Sequence, residues 1–236
     1  MPAPALTRTE PAPTGTSGIP RGVVLMLHGG AKTGLEPVGE RSGSRWRTNL
    51  MREVIEPRVH EAGLALWMLT FGVRGWNAGV GPEPSPVPDA RWALDQVAEA
   101  HPGVPVVLLG HSMGGRTAVR VADHPQVVGV VGLAPWLESD DPVRALRGKH
   151  VIAGHGSRDK ITSARATAAY VERARPLAAS ADFVDVGRLG HYMLARPKVW
   201  NRFALTSTLE VLDRAERAAA HEAVLDRDDR QHRPTG

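Results

Sequence analysis

The chain has 236 residues, 42% of them hydrophobic and 23% charged, with a net charge of +4 and no cysteine. That length suits one domain with its own core, and the composition excludes a disordered chain. Lack of cysteine excludes disulfides, thiolate metal sites and a cysteine nucleophile and fits a reducing, cytoplasmic setting; no apolar run nears the ~18 residues of a membrane span, and the charges are too interspersed for nucleic-acid binding.

Residues 1–20 are rich in Pro, Thr and Gly and lack the apolar stretch of a secretory signal, so they read as a disordered leader. From there to about residue 213 two kinds of segment alternate, forming the domain. Short apolar runs span Val23 to Gly29, Leu64 to Phe71, Val104 to Gly110, Val127 to Ala134, Lys149 to Gly154 and Ala181 to Val186. Most are apolar on both faces, as strands of a buried parallel sheet are. Helical patterns lie between them. Asn49 to Glu61 sets Leu50 and Val54 beside Met51 and Ile55 on one stripe. A second helix begins at Asp89, which suits an N-cap. Thr162 to Arg175 and Pro197 to Leu212 are two more, the last with proline in its first turn. The charged stretch of residues 214–236 reads as a fraying helix end and a tail. This alternation is an α/β class: a mostly parallel twisted sheet with helices on both faces, whose ligands bind at the carboxyl ends of the strands.

The chemistry is therefore sought just after each apolar run. After Val104 to Leu109 comes Gly110-His111-Ser112-Met113-Gly114-Gly115, a G-x-S-x-G between strand and helix. A serine on such a tight turn projects its Oγ above the sheet, beside a helix N-terminus. A hydroxyl needs a base to take its proton. His191 follows the last strand and is preferred; His155, ending the strand before it, competes. The base needs an orienting carboxylate. Asp159 lies in a loop at the same sheet edge, between Ser112 and His191 in the chain; Asp140, Asp141 and Asp185 are the other choices. An oxyanion needs two N–H donors. Met113 follows the serine and supplies one; Gly30, in Leu27-His28-Gly29-Gly30-Ala31, supplies the other, with Ala31 as alternative. Trp76 and Trp136 follow strand ends and are candidates to wall a substrate pocket, against simple packing under loops.

With these motifs in this order, the chain resembles the α/β-hydrolase family over roughly residues 21 to 212. The resemblance implies an eight-stranded, mostly parallel sheet, a Ser-His-Asp triad, a small-molecule ester as partner, and no metal or organic cofactor. Two clear strands before Val23 are not visible, so the sheet is expected to be cut down at that edge. Within the family the chain is similar to small lidless members, the dienelactone-hydrolase-like and cutinase-like esterases. It departs from both: the first use cysteine, and the second carry a signal peptide and usually a disulfide. Only the short stretch Pro135 to Lys149 separates two strands where relatives insert a lid, so no separate lid domain is expected.

Overall fold

The computed structural model describes residues 2–13 and 18–231. Seven strands form one sheet: β1 (Ala5–Thr9), β2 (Gly22–Leu27), β3 (Leu64–Thr70), β4 (Val106–His111), β5 (Val127–Leu133), β6 (His150–His155) and β7 (Ser180–Asp185). Their order is β1-β3-β2-β4-β5-β6-β7; β1 pairs antiparallel with β3, and every other pair is parallel. The described residues form five helices, α1 (Gly43–Glu61), α2 (Pro86–Ala100), α3 (Met113–Val121), α4 (Ala164–Ala174) and α5 (Pro197–Gln231).

The central strands alternate their apolar side chains between two cores. Val23, Leu25 and Leu27 of β2 share one core with Leu94 of α2, Ala118 of α3 and Val171 of α4. Val24 and Met26 share the other core with Met51 and Ile55 of α1 and Trp200 and Val211 of α5. Both faces are thus covered, which is why these strands are buried at nearly every position. Between β5 and β6 there is only a single 3-10 turn, Arg144–Leu146, and no lid domain.

Four expectations need correcting. The leader is not wholly unstructured: Ala5–Thr9 forms the antiparallel edge strand, because β3 offers an unpaired backbone edge and Leu6 packs on the core. Arg8 also lies over the Trp67 ring at 4.4 Å, and Glu10 accepts the Trp67 indole N–H at 2.8 Å. The tail does not begin at 214. Helix α5 continues to Gln231 through Ala-rich, strongly helix-forming sequence, and Arg214 is tied to Asp182 at 2.6 Å; residues 232–236 lie outside the described residues. Asp89 does not cap α2. Ser85 holds the cap position, Pro86 opens the helix, and Asp89 accepts the Gly72 N–H at 2.9 Å. Finally, the stripe on α1 is split: Met51 and Ile55 face the core, whereas Leu50 and Val54 are exposed. Among the described residues no helix is long and apolar enough to cross a membrane.

The sheet and α3 approach each other most closely at Gly114, where a Cβ would strike the carbonyl oxygen of Leu27 on β2. Backbone cannot yield as a flexible side chain can. Gly114→Ala should lower stability by roughly 1–3 kcal/mol, read as a fall in the denaturant midpoint.

Candidate active site

Every chemically competent residue named above sits at the carboxyl edge of the sheet. His28 to Ala31 follow β2, Ser112 follows β4, Asp159 follows β6 and His191 follows β7. Ser112 is held at φ 53° and ψ −116°, a conformation that a residue with a Cβ seldom adopts. Neighbouring backbone maintains the strain. The Ser112 N–H donates to Leu133 O at 3.1 Å, and its carbonyl accepts from the Trp136 N–H at 3.0 Å and the Arg116 N–H at 3.2 Å. The turn is clamped between the end of β5 and the first turn of α3, which aims Oγ across the sheet edge.

His191 lies 3.0 Å from that oxygen through Nε2 and 2.8 Å from Asp159 Oδ2 through Nδ1. With the Nδ1 proton on the carboxylate, Nε2 is left as the acceptor for the Ser112 hydroxyl. The loops that carry Asp159 and His191 are pinned to each other. The Ser157 N–H donates to Gly187 O at 2.9 Å and the Arg158 N–H to Leu189 O at 3.1 Å.

His155 does not compete for the serine. It sits beneath the acid, with Nε2 3.1 Å from Asp159 Oδ2 and Nδ1 3.0 Å from Thr167 Oγ1. The same Oδ2 accepts the Thr162 hydroxyl at 3.0 Å, while Oδ1 accepts the N–H groups of Ile161 at 2.8 Å and Thr162 at 2.9 Å. Burial opposes a charge on Asp159. The bonds from His155, His191 and the two N–H groups outweigh it, and the carboxyl stays ionised well below the usual carboxylate range. The other acids are engaged elsewhere. Asp141 is fully buried on two arginines, Asp185 accepts the Gly187 N–H at 2.8 Å, and Asp140 is exposed.

Two further histidines carry the scaffold of the site. His28 accepts the Phe71 N–H on Nε2 at 3.2 Å and donates from Nδ1 to Gly29 O at 2.6 Å, fixing the turn before Gly30. Burial, partly offset by that carbonyl, lowers His28 to about 4. His111 donates from Nε2 to His191 O at 3.0 Å and lies against the His191 ring at 5.0 Å between centroids. Burial, reinforced by His191, lowers it to about 3. The residues themselves were visible in the sequence; their partners lie some 40 to 80 positions away in the chain.

The Ala31 N–H is spent on Arg74 O at 2.9 Å, which removes it as an oxyanion donor. The N–H groups of Gly30 and Met113 have no acceptor among the described residues. Gly30 also lines a polar cleft of about 490 Å³, with Arg41, Ser42, Ser44 and Arg74 on its walls.

Trp76 does not wall a pocket: it is 3% exposed. Its ring and that of Trp136, 6.0 Å apart edge to face, lie 4.6 and 4.5 Å from the guanidinium of Arg116. A buried cation on α3 draws both aromatic faces and a carboxylate. The Arg116 Nε lies 2.8 Å from Asp141, and Arg120 lies 2.7 Å from the same acid. Half-buried Trp136 spends its indole N–H on Glu138 at 2.8 Å, and neither ring lines the cleft at Gly30.

The family model described as serine aminopeptidase, S33 (Hydrolase_4) matches residues 84–154. No curated protein matches the chain. Among solved structures, Thermogutta terrifontis esterase 2, phosphonylated by cyclosarin, is similar with a TM-score of 0.66 at 16% identity, covering 89% of each chain. An α/β serine hydrolase homologue from Coxiella burnetii gives 0.62 at 16% identity, over 86% of this chain and 91% of that one. A serine hydrolase without lid from Xanthomonas campestris gives 0.59 at 15% identity, over 88% of each. The chain has a small, lidless α/β-hydrolase fold.

The buried neutral histidines carry a pH dependence. Their folded values lie below the ordinary value near 6.5, so their contribution to stability is complete above about pH 6.5. It is lost as pH falls through about 4 for His28 and about 3 for His111. His28→Asn should flatten the fall in unfolding free energy between about pH 6.5 and 4 by up to about 3 kcal/mol, as read by denaturation at a series of pH values.

Proposed function

We propose that the protein is a serine hydrolase that cleaves carboxylic esters or thioesters through an acyl-enzyme on Ser112. The observation that carries this is the unbroken hydrogen-bonded chain from Ser112 Oγ through His191 to Asp159, held among buried residues. His191 Nε2 takes the hydroxyl proton while Oγ bonds to the carbonyl carbon. Asp159 keeps the imidazole in the required tautomer and stabilises the imidazolium. The N–H groups of Gly30 and Met113 receive the oxyanion. The carbon–oxygen bond to the leaving alcohol then breaks, and His191 delivers its proton to that oxygen. Water, deprotonated by the same imidazole, attacks the acyl-enzyme and frees Ser112 as the acid product departs.

The solved structures named above include an esterase that carries a phosphonyl group, in keeping with a nucleophile that attacks electrophilic esters. The description of the matching family model makes amide hydrolysis the second reading. A panel of p-nitrophenyl esters against p-nitroanilides of the same acids separates the two. A ligand-binding protein without chemistry is disfavoured by an intact proton-transfer chain, which binding alone does not require.

A fluorophosphonate probe should label Ser112, and Ser112→Ala should abolish both labelling and p-nitrophenyl acetate hydrolysis. Activity kept by that variant would remove the claim. Asp159→Asn should lower kcat by roughly 10³–10⁴ with the fold intact by circular dichroism.

His155→Phe removes one donor from the Asp159 carboxylate and leaves more negative charge facing His191. The acid limb of the pH–rate profile should therefore move to higher pH. His155→Gln, which can keep an N–H on that oxygen, should restore the limb toward its original position. A limb unmoved in both variants would limit His155 to a packing role.

A further inference from the structure

Helix α1 turns Met51 and Ile55 into the core, yet Trp46, Leu50 and Val54 recur at four-residue spacing along its exposed side. Tyr192 and Leu194, from the segment that follows His191, are exposed in the same way. Of these residues, Leu50, Val54, Tyr192 and Leu194 wall a groove of about 410 Å³ between α1 and the start of α5, floored by Met51 and Met193. Glu53 and Lys198 stand at its edge, and the lining is otherwise mainly apolar. Scattered single apolar residues on a surface call for no explanation, but a contiguous set around a concavity does.

The groove borders the site through Tyr192, which lines it; Ser112 and His191 do not. The Tyr192 ring lies 5.5 Å from the His191 ring, centroid to centroid. In the reaction proposed above, the leaving alcohol oxygen must come within hydrogen-bond reach of His191 Nε2 to collect its proton. Whatever is attached to that oxygen therefore starts beside the imidazole that Tyr192 flanks. The geometry points to an aliphatic chain on the leaving alcohol as the occupant of this groove, so that the substrates are esters of longer alkyl alcohols. This rests on the esterase reading and adds the alcohol class to it. A groove of this size matches a small ligand. A second copy of the chain is a poorer fit, since a stable dimer needs about 800 Å² from each partner, far beyond what a few groove-wall side chains offer.

Acetate release from n-alkyl acetates, from methyl to octyl, tests the assignment in the full-length protein. The value of kcat/KM should rise about two- to fourfold for each methylene that leaves water. Val54→Glu and Leu194→Asp, each checked for an unchanged melting temperature, should reduce the octyl-to-methyl ratio by at least about tenfold. A companion series of methyl alkanoates, which lengthens the acyl side instead, should show no comparable dependence on these two substitutions. Methyl acetate cleavage with a flat alcohol series, or a ratio unmoved in both variants, would overturn the groove and leave the esterase reading standing. So would a flat series accompanied by vesicle binding or self-association that Val54→Glu abolishes, which would give the face to a lipid surface or a second copy. No cleavage of any ester, with no fluorophosphonate labelling, would sink both readings together.

Discussion

The whole site depends on one buried carboxylate staying charged. Asp159 is removed from water, and burial alone would drive it to the neutral acid. Five donors reverse that outcome: two imidazoles, one hydroxyl and two backbone N–H groups converge on its two oxygens. Such charge-assisted bonds are strong where the surroundings exclude water. The carboxylate in turn orients His191, and His191 meets Ser112. Weakening the set of donors would loosen a hydrogen-bonded chain that reaches Ser112, more than 40 residues earlier in the sequence.

Histidine recurs in this design because imidazole can donate on one edge and accept on the other. His28 bridges the backbone of two neighbouring strand ends and so fixes the turn that presents Gly30. His111 reaches from the Ser112 turn to the carbonyl of His191 and ties those two loops together. His155 joins the acid to Thr167 on α4. Burial holds His28 and His111 neutral, since an imidazolium would be costly there. The loops at this sheet edge are thus locked by side chains as well as by the strands they leave.

A second buried anion steadies the helix behind Ser112. Asp141 is fully buried and pairs with Arg116 and Arg120 of α3, while Trp76 and Trp136 close over the Arg116 guanidinium. Removing one partner would strand a charge without water. The Trp136 N–H also bonds to Ser112 O, so the same segment that shields the cation supports the strained serine. The two aromatics that the sequence offered as pocket walls serve α3 instead.

The sequence alone determined six of the seven strands, the proline start of α5, the serine turn and the chain order of Ser112, Asp159 and His191. These are local properties. Apolar run length, glycine at a tight turn and proline in a first helical turn act over a few residues and read the same in any context. It missed the edge strand at Ala5–Thr9, because the partner that completes such a strand lies some 60 residues on, in β3. It could not tell Leu50 from Met51 on α1, because which side of a helix meets the core is decided by what packs there. It preferred His191 to His155 from their places at the sheet edge, but it gave His155 no partner. Only the tertiary structure put one imidazole between the acid and the serine and the other beneath the acid. Hydrogen bonds are short and directional, so the roles of like residues are set by distances of about 3 Å that spacing along a chain does not encode.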